Sequence, residues 1–314
     1  METTRLAPSP TGALHLGNAR TFLVTWALAR QRGWRVALRI DDLDGPRIKP
    51  HAAEQAIADL KWLGLDWDGP PRIESEHCPE FAAALATLAR TGAIYPCRCT
   101  RSEILAASLS APHSDEHELR YPGTCRPAEP TCVDPVLLDD PQLSWRFRTH
   151  DVAEAFNDHF AGPQSFNTQR IVGDFLVGTK GCLPSYQLAV VVDDAAQGVT
   201  QIIRGDDLLS STPRQLRLQH ELGLGPPPAY RHLPLVIGED GRRLAKRHGD
   251  TRVAHYRELG VRPDRVIGLM AEWCGFGDRT ELSAGKFRER FDIERLPRKA
   301  ISFTVEDDRW LRAE

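Results

Sequence analysis

The 314-residue sequence contains no run of about eighteen uninterrupted apolar residues, so hydropathy predicts no membrane helix, and its opening METTRLAPSP lacks the apolar centre of a signal peptide. The expected address is therefore the cytoplasm. There is no even complement of cysteines. Of the seven present, Cys97, Cys99, Cys125 and Cys132 crowd into one stretch while Cys78, Cys182 and Cys274 stand apart, a pattern that excludes a disulfide framework and points to a local metal site. Internal repeats and low-complexity tracts are lacking as well. A strong positive balance is also missing, and a net charge of −3 argues against indiscriminate nucleic-acid binding. The charge is uneven, however. Residues 242–314 carry 17 Lys and Arg against 13 Asp and Glu, which leaves −7 on the first 241, so a polyanion is expected to meet the C-terminal part.

What is present, 41% hydrophobic and 26% charged residues, suffices for a substantial core and more than one module. Residues 35–40 (RVALRI) alternate as a strand does, after Ala19, Phe22, Leu23, Trp26 and Ala27 at helical spacing, so the chain opens strand, turn, helix, strand. Two more helical stripes follow, Ala53/Ala56/Ile57/Leu60 and Phe81/Ala84/Leu85/Leu88, separated by a turn in LGLDWDGPPR. From Ala93 to about Asp140 cysteine, proline and histidine replace helical periodicity, and SAPHSDEH has no apolar face, which predicts an insertion. Apolar runs return at 188–192 (LAVVV), 199–203 (VTQII) and 233–238 (LPLVIG), the first reading as a strand buried on both faces. After Gly241 the pattern is basic and mostly helical. The expectation is an α/β fold, a parallel sheet interrupted by an insertion.

Two segments carry the chemistry of a nucleotide. In PSPTGALHLGNART, Pro8 and Pro10 stiffen a strand exit, Gly12 and Gly17 allow close backbone approach, and a helix start follows on which a phosphate can rest. His15 stands just before that start, where an imidazole N–H can donate to phosphate oxygens during nucleotidyl transfer. In GRRLAKRHGD (241–250), Arg242, Arg243, Lys246 and Arg247 place several cations on one loop, suited to a leaving pyrophosphate.

An amino-acid site is also legible. Arg5 on the first strand, with Ser9 at its exit, can grip a carboxylate, and Asp41, Asp42 and Asp44 at the end of LRIDDLD can hold an ammonium group or a cationic neighbour. Cys97 and Cys99 in YPCRCTRSE and Cys125 in YPGTCR form two short turns able to close on zinc, with His113, His117, Tyr121 and Cys132 open as the fourth ligand.

On these residues the sequence resembles the glutamyl branch of class I aminoacyl-tRNA synthetases, PSPTGALHLGN looking like the HIGH signature and RLAKR like the KMSKS signature. Asn18 replaces the final histidine of the first, and in the second Lys246 is the one well-matched residue. The resemblance implies a Rossmann-like class I catalytic domain with an inserted zinc-containing α/β subdomain and a short helical C-terminal appendage. The implied divisions are 1–92, a first half with the HIGH-like motif; 93–185, an acceptor-binding-type insertion; 186–240, a second half; and 241–314, the KMSKS-like loop and appendage. It implies catalytic roles for His15 and Lys246, and ATP contacts from Gly12, His15, Gly17, Asn18 and Lys246. Glutamate contacts are implied for Arg5, Leu6, Ala7, Pro8, Ser9, Asp41, Tyr186 and Arg204, with Arg204 meeting the side-chain carboxylate. The family commonly has glutamate where Asp41 stands, a side chain longer by one methylene.

The Cys-x-Cys and Tyr-x-x-x-Cys pattern is similar to that of the glutamyl-queuosine tRNA(Asp) synthetases, which implies Tyr121 as the fourth ligand of one structural Zn²⁺ beside Cys97, Cys99 and Cys125. It also implies the absence of an anticodon-binding domain, with L-glutamate, ATP with Mg²⁺, and queuosine-bearing tRNA(Asp) as partners, and a monomer as the default state. The alternatives are a shortened glutamyl-tRNA synthetase charging tRNA(Glu) and a non-catalytic paralogue that binds tRNA or nucleotide.

Overall fold

The structure is a computed structural model that describes residues 1–10, 13–43, 51–109, 119–242, 244 and 250–312, the side chains of 107–109 falling outside that description. Strand β1 (Thr3–Leu6), helix α1 (Leu16–Gln31) and strand β2 (Arg35–Ile40) come first. β1 and β2 pair in parallel, with Arg5 opposite Ala37, so α1 is the crossover between them. The helix buries Ala19, Leu23, Val24, Trp26 and Ala27 together with residues on its other faces, as a helix enclosed by a core does. Each fully buried leucine there contributes about 2 kcal/mol. Helix α2 (Ala52–Trp62) leads to strand β3 (Arg72–Ile73), which extends the sheet in parallel beside β2, and then to helix α3 (Cys78–Arg90).

The next segment changes architecture. Strands β4 (Ile94–Cys97) and β5 (Ser144–Phe147) flank helix α4 (Arg101–Leu109), and a hairpin of β6 (Glu154–Asp158) and β7 (Gly162–Phe166) precedes the short helix α5 (Thr168–Ile171). Strands β8 (Leu176–Thr179) and β9 (Leu183–Pro184) complete a four-stranded antiparallel sheet in the order β4-β5-β8-β9. Trp145, Phe147 and Phe175 of this unit share an apolar cluster with Phe81, Leu85 and Leu88 of α3. The unit therefore draws its core from the α/β body.

Helix α6 (Tyr186–Ala196), strand β10 (Gln201–Gly205), helix α7 (Thr212–Glu221), strand β11 (Ala229–Leu233) and strand β12 (Val236–Gly238) follow. Residues 188–192 are thus helical, which corrects the expected strand. Ser185 caps this helix by accepting from the Leu188 N–H, and Leu188 to Val192 are all buried, so no polar face breaks the apolar run and its period is hidden. The run at 233–238 is also divided: Leu233 ends β11, and Pro234 precedes a separate β12. β10 and β11 pair in parallel with Arg204 opposite His232, and β10 runs beside β1, where the Thr200 N–H donates to the Thr3 carbonyl at 2.9 Å.

Helices α8 (Val253–Glu258), α9 (Pro263–Trp273), α10 (Ala284–Arg290) and α11 (Val305–Arg312) make the C-terminal region mostly helical. It also contributes strand β13 (Ile301–Phe303), which pairs in parallel with β12. Val253, Tyr256, Ile267 and Phe287 join the cluster around α1, so this region completes the core of the first half. Among the described residues no helix is long and apolar enough to cross a membrane.

Candidate active site

The histidine turn is held by its own side chain. His15 is the extended N-cap of α1, and its Nδ1 accepts from the Asn18 N–H at 3.4 Å. With Nδ1 an acceptor, the proton of the neutral ring sits on Nε2, which makes that nitrogen the donor. Gly17 keeps this turn uncrowded: a Cβ would stand 3.2 Å from the His15 ring and 3.4 Å from Val236. The segment that follows the basic loop lies against this turn, since the Leu16 N–H donates to the Thr251 carbonyl at 2.9 Å and the Val253 N–H to the Leu14 carbonyl at 2.8 Å. Gly12 and Lys246 lie outside the described residues, but the chain on the C-terminal side of Lys246 is anchored beside His15.

Strand exits build the neighbouring pocket. The Asp41 N–H donates to the Pro8 carbonyl at 3.1 Å, joining the ends of β1 and β2. Arg5 is buried and its Nε donates to Asp194 at 3.2 Å, while Arg39, fully buried, spans Asp41 (2.8 Å) and the same Asp194 oxygen (2.5 Å). Arg72 donates to Asp193 at 2.8 Å. Burial pushes the Asp194 carboxyl up, but Arg39 and Arg5 outweigh it and hold the group below the usual range. Burial wins at Asp41, which is raised despite Arg39. At Glu74, burial and the neighbouring Asp41 charge push the carboxyl up to about 9. Glu74 Oε1 and Asp193 Oδ2 are both buried and accept no hydrogen bond, Arg39 Nε lying 3.8 and 3.9 Å away, and a proton retained on Glu74 gives that carboxyl a donor to turn toward Asp193. Three guanidiniums, Arg5, Arg39 and Arg72, then face the carboxylates of Asp41, Asp193 and Asp194 and one neutral carboxyl, and Arg72 also donates outward to the more exposed Glu80.

Arg204 stands on the other side of this cluster, 5% exposed. Its Nε donates to His232 Nε2 (2.9 Å), Nη1 to Gln215 Oε1 (2.7 Å), and Nη2 to Thr212 Oγ1 (2.9 Å) and the Leu208 carbonyl (3.4 Å). All four acceptors are neutral, and among the described residues no carboxylate lies within 4.0 Å of the guanidinium, so a surface ion pair with Asp206 or Asp207 does not form. Tyr186 opens α6, is 44% exposed, and lies within the electrostatic reach of Arg204, Asp41 and Arg5. Leu6 is fully buried, and Ala7, Pro8 and Ser9 carry the chain from β1 toward the histidine turn.

The cysteines converge elsewhere. Cys97, Cys99 and Cys125 bring their sulfurs within 4.8 Å of one another, with Cys99 and Cys125 3.5 Å apart. A tetrahedral Zn²⁺ with 2.3 Å bonds needs sulfurs about 3.8 Å apart, so the thiols fit it. The Tyr121 oxygen is 3.5 Å from Cys97 Sγ and 3.9 Å from Cys99 Sγ, and it accepts from the Cys125 N–H at 2.8 Å, which leaves it facing the three sulfurs. Gly173, at φ +69°, lets the turn after α5 close on this tyrosine, for a Cβ would come within 2.4 Å of the Tyr121 carbonyl. Burial drives Cys99 up to about 11 and the Tyr121 phenol up as well; at Cys125 burial is overcome by the Arg98 amide and the Tyr121 hydroxyl, which bring the thiol down to about 7. Arg146 lies over the Tyr121 ring, its guanidinium carbon 3.6 Å from the centroid, and donates to Cys97 Sγ at 3.4 Å. Cys132 is exposed and stands apart, and His113 and His117 lie outside the described residues.

Sequence reasoning missed Arg39, Asp194, Arg146, Asp158 and His232. Only Arg39, inside the strand-ending LRIDD, carried a signal, as a charged residue amid alternating apolar ones.

The chain as a whole belongs to a known class. The sequence profile of the class I tRNA synthetases (E and Q), catalytic domain, matches residues 2–307, and the chain belongs to that family. Within it, the chain is 46% identical to the glutamyl-Q tRNA(Asp) synthetase of Rhodopirellula baltica, over 97% of this chain and 96% of that one. It is 37% identical to the glutamate–tRNA ligase of Geotalea uraniireducens, over 98% of this chain but 65% of that longer one. The solved glutamate-tRNA synthetase of Elizabethkingia anophelis superposes with a TM-score of 0.81 at 26% identity, covering 99% of this chain and 69% of that one.

Proposed function

We propose that this chain activates L-glutamate with ATP and transfers it to the queuosine base of tRNA(Asp). The observation that carries the amino-acid choice is Arg204, a buried cation whose named acceptors are all neutral and which therefore calls for an anionic group from a ligand. A glutamate side-chain carboxylate is such a group. Arg5, Asp41, Tyr186 and the backbone of residues 6–9 surround the remainder of the amino acid in this reading.

The glutamate α-carboxylate attacks the α-phosphorus of ATP, and the bond to pyrophosphate breaks to give glutamyl-adenylate. His15 Nε2–H and Lys246 donate to the phosphate oxygens as charge moves onto them, and Mg²⁺ accompanies the nucleotide. A queuosine cyclopentenediol hydroxyl then attacks the activated carbonyl, forming an ester and releasing AMP. Cys97, Cys99, Cys125 and Tyr121 would hold one structural Zn²⁺, which would contribute to the stability of this region and not to the chemistry.

Transfer to tRNA(Glu) is the second reading, favoured by the 37% identity to a glutamate–tRNA ligase. Glutamate-dependent ATP–pyrophosphate exchange without tRNA tests the first step, and its absence favours a binding paralogue. Labelled glutamate offered to tRNA(Asp) with and without queuosine, and to tRNA(Glu), decides the acceptor. Label appearing only on queuosine-bearing tRNA(Asp) is expected; label on tRNA(Glu) alone overturns that assignment.

A further inference from the structure

The partners of Arg204 extend inward to a second layer that reaches the inserted hairpin. In the β10–β11 register Arg204 and His232 are direct neighbours, so both side chains leave the same face of the sheet. His232 Nε2 accepts from Arg204 Nε at 2.9 Å, and its Nδ1 is 2.6 Å from Asp158 Oδ2. Neither the His232 nor the Asp158 side chain has any exposure.

Asp158 closes β6 and is surrounded by donors. Its oxygens accept from the backbone N–H groups of Phe160 (2.8 Å), Ala161 (2.6 Å) and His232 (3.2 Å). A carboxylate so placed is ionised and has no proton to give, so the short bond to His232 requires the hydrogen on Nδ1. The lone pair is then on Nε2, where Arg204 needs it. The imidazole is held neutral as well: burial, with Arg204 in front of it, depresses its protonation against the pull of Asp158. The hairpin is fixed to β11 by the His159 N–H, which donates to the Tyr230 carbonyl at 2.8 Å. Tyr230 in turn lies under the Arg204 guanidinium, 5.2 Å from ring centroid to carbon.

We propose that His232, its tautomer set by Asp158, is a positioning residue that fixes the Arg204 guanidinium for the side-chain carboxylate of the substrate, and that this second layer sets selectivity for glutamate over glutamine. A neutral acceptor is what the task requires. A carboxylate in place of His232 would neutralise Arg204 internally, and a donor there would push the guanidinium away. With Nε anchored to His232, and Gln215, Thr212 and Leu208 taking three further N–H groups, the plane and direction of the guanidinium are set, and none of these partners brings a charge to pair with it. An amide offers no charge to compensate and leaves that cost in place. The inference rests on the glutamate reading for its substrate and on geometry alone for the tautomer.

Asp158→Asn is the decisive variant. It keeps the size of the side chain, and its one oxygen is claimed by the backbone donors, so its NH₂ faces His232 Nδ1. The ring proton then moves to Nε2, opposite the Arg204 N–H. In glutamate-dependent ATP–pyrophosphate exchange the KM for glutamate is expected to rise about 10- to 100-fold, with kcat and the KM for ATP changed by less than about threefold. The glutamate-to-glutamine ratio of kcat/KM is expected to fall at least about tenfold. His232→Gln retains an acceptor that has no tautomer, so it should recover most of the affinity, and adding Asp158→Asn to it should change little further.

Imidazole ¹⁵N NMR of the full chain gives a readout independent of activity: Nδ1 protonated in the native protein, Nε2 protonated in Asp158→Asn. A native ring protonated on Nε2 overturns the inference, and so does an Asp158→Asn enzyme with unchanged KM and selectivity. If the native protein shows no glutamate-dependent exchange, the functional reading fails, and the NMR result alone then judges the Asp158–His232–Arg204 arrangement.

Discussion

Leu14 and Val253 are joined by a backbone hydrogen bond of 2.8 Å, the rung that seats the segment following the basic loop against the histidine turn. Val253 opens α8, where a proline costs the helix no internal bond, so Val253→Pro deletes this rung and little else of the backbone. Its expected effect is a fall in the rate of glutamate-dependent exchange of about tenfold or more, with the far-UV circular dichroism of the native chain. Lys246→Ala should lower the same rate by about 10²- to 10³-fold. Undiminished exchange in both would separate the loop from the chemistry.

Arg204→Lys keeps the positive charge and removes the fork that reaches His232, Gln215 and Thr212 at once. A lysine ammonium cannot satisfy those three acceptors in their fixed directions while also meeting a ligand. The kcat/KM for glutamate should drop by at least about 100-fold, and ATP binding, followed by nucleotide protection against thermal unfolding, should stay near native. Retention of activity within about threefold would mean that charge alone suffices.

How far the sequence revealed this site depended on where each residue sits relative to a recognisable break. Arg5, Asp41 and Arg204 lie on strands or at strand ends that alternation and turn residues mark out, and His15 stands at a visible helix start. His232 gave no such sign, because it stands just ahead of the apolar run at 233–238 and its role arises from the register against β10 and from a carboxylate supplied by the inserted hairpin. Residues 188–192 were ambiguous for a different reason: five consecutive apolar residues satisfy a doubly buried strand and an enclosed helix alike, and only Ser185 as a cap distinguishes them. The strand β13 was hidden by its brevity within a helical region. The three thiols, by contrast, were legible from spacing, since each short turn presents its cysteines close together, although the packing of the second turn against the chain after α5 is what brings Cys125 to the other two.

Glu74 makes stability depend on pH in a definable direction. Its carboxyl is raised from 4.5 to about 9 by burial first and by the Asp41 charge second. The unfolded chain releases this proton near 4.5 while the folded one retains it, so the contribution is fully present below that pH and is lost progressively as pH rises toward about 9. Glu74→Gln imitates the protonated form and cannot ionise. Relative to the native chain, its melting temperature should be close to equal near pH 4.5 and higher near pH 8, as measured by calorimetry across that range. A difference independent of pH would show that Glu74 is ionised in the folded protein.

The sulfur cluster and its arginine predict a graded response to substitution. Purified protein should contain one zinc per chain by elemental mass spectrometry, and Cys125→Ala should abolish binding because two thiols and a phenol cannot close the site. Tyr121→Phe removes one oxygen and should weaken binding without abolishing it, as read by competition with a chromophoric chelator. Arg146 does not ligate, yet it donates to Cys97 Sγ and covers the Tyr121 ring, so it offsets the negative charge that three thiolates would bring to a partly buried site. Arg146→Met preserves much of the stem while removing that donor and charge, and should lower zinc affinity by about 10- to 100-fold. Because Arg146 also donates to the Asp174 carbonyl at 2.7 Å, local unfolding is the competing explanation. Excess zinc distinguishes the two: restored protection of β4 and β5 in hydrogen exchange indicates a weakened site, and exchange that stays fast at saturating metal indicates a lost scaffold.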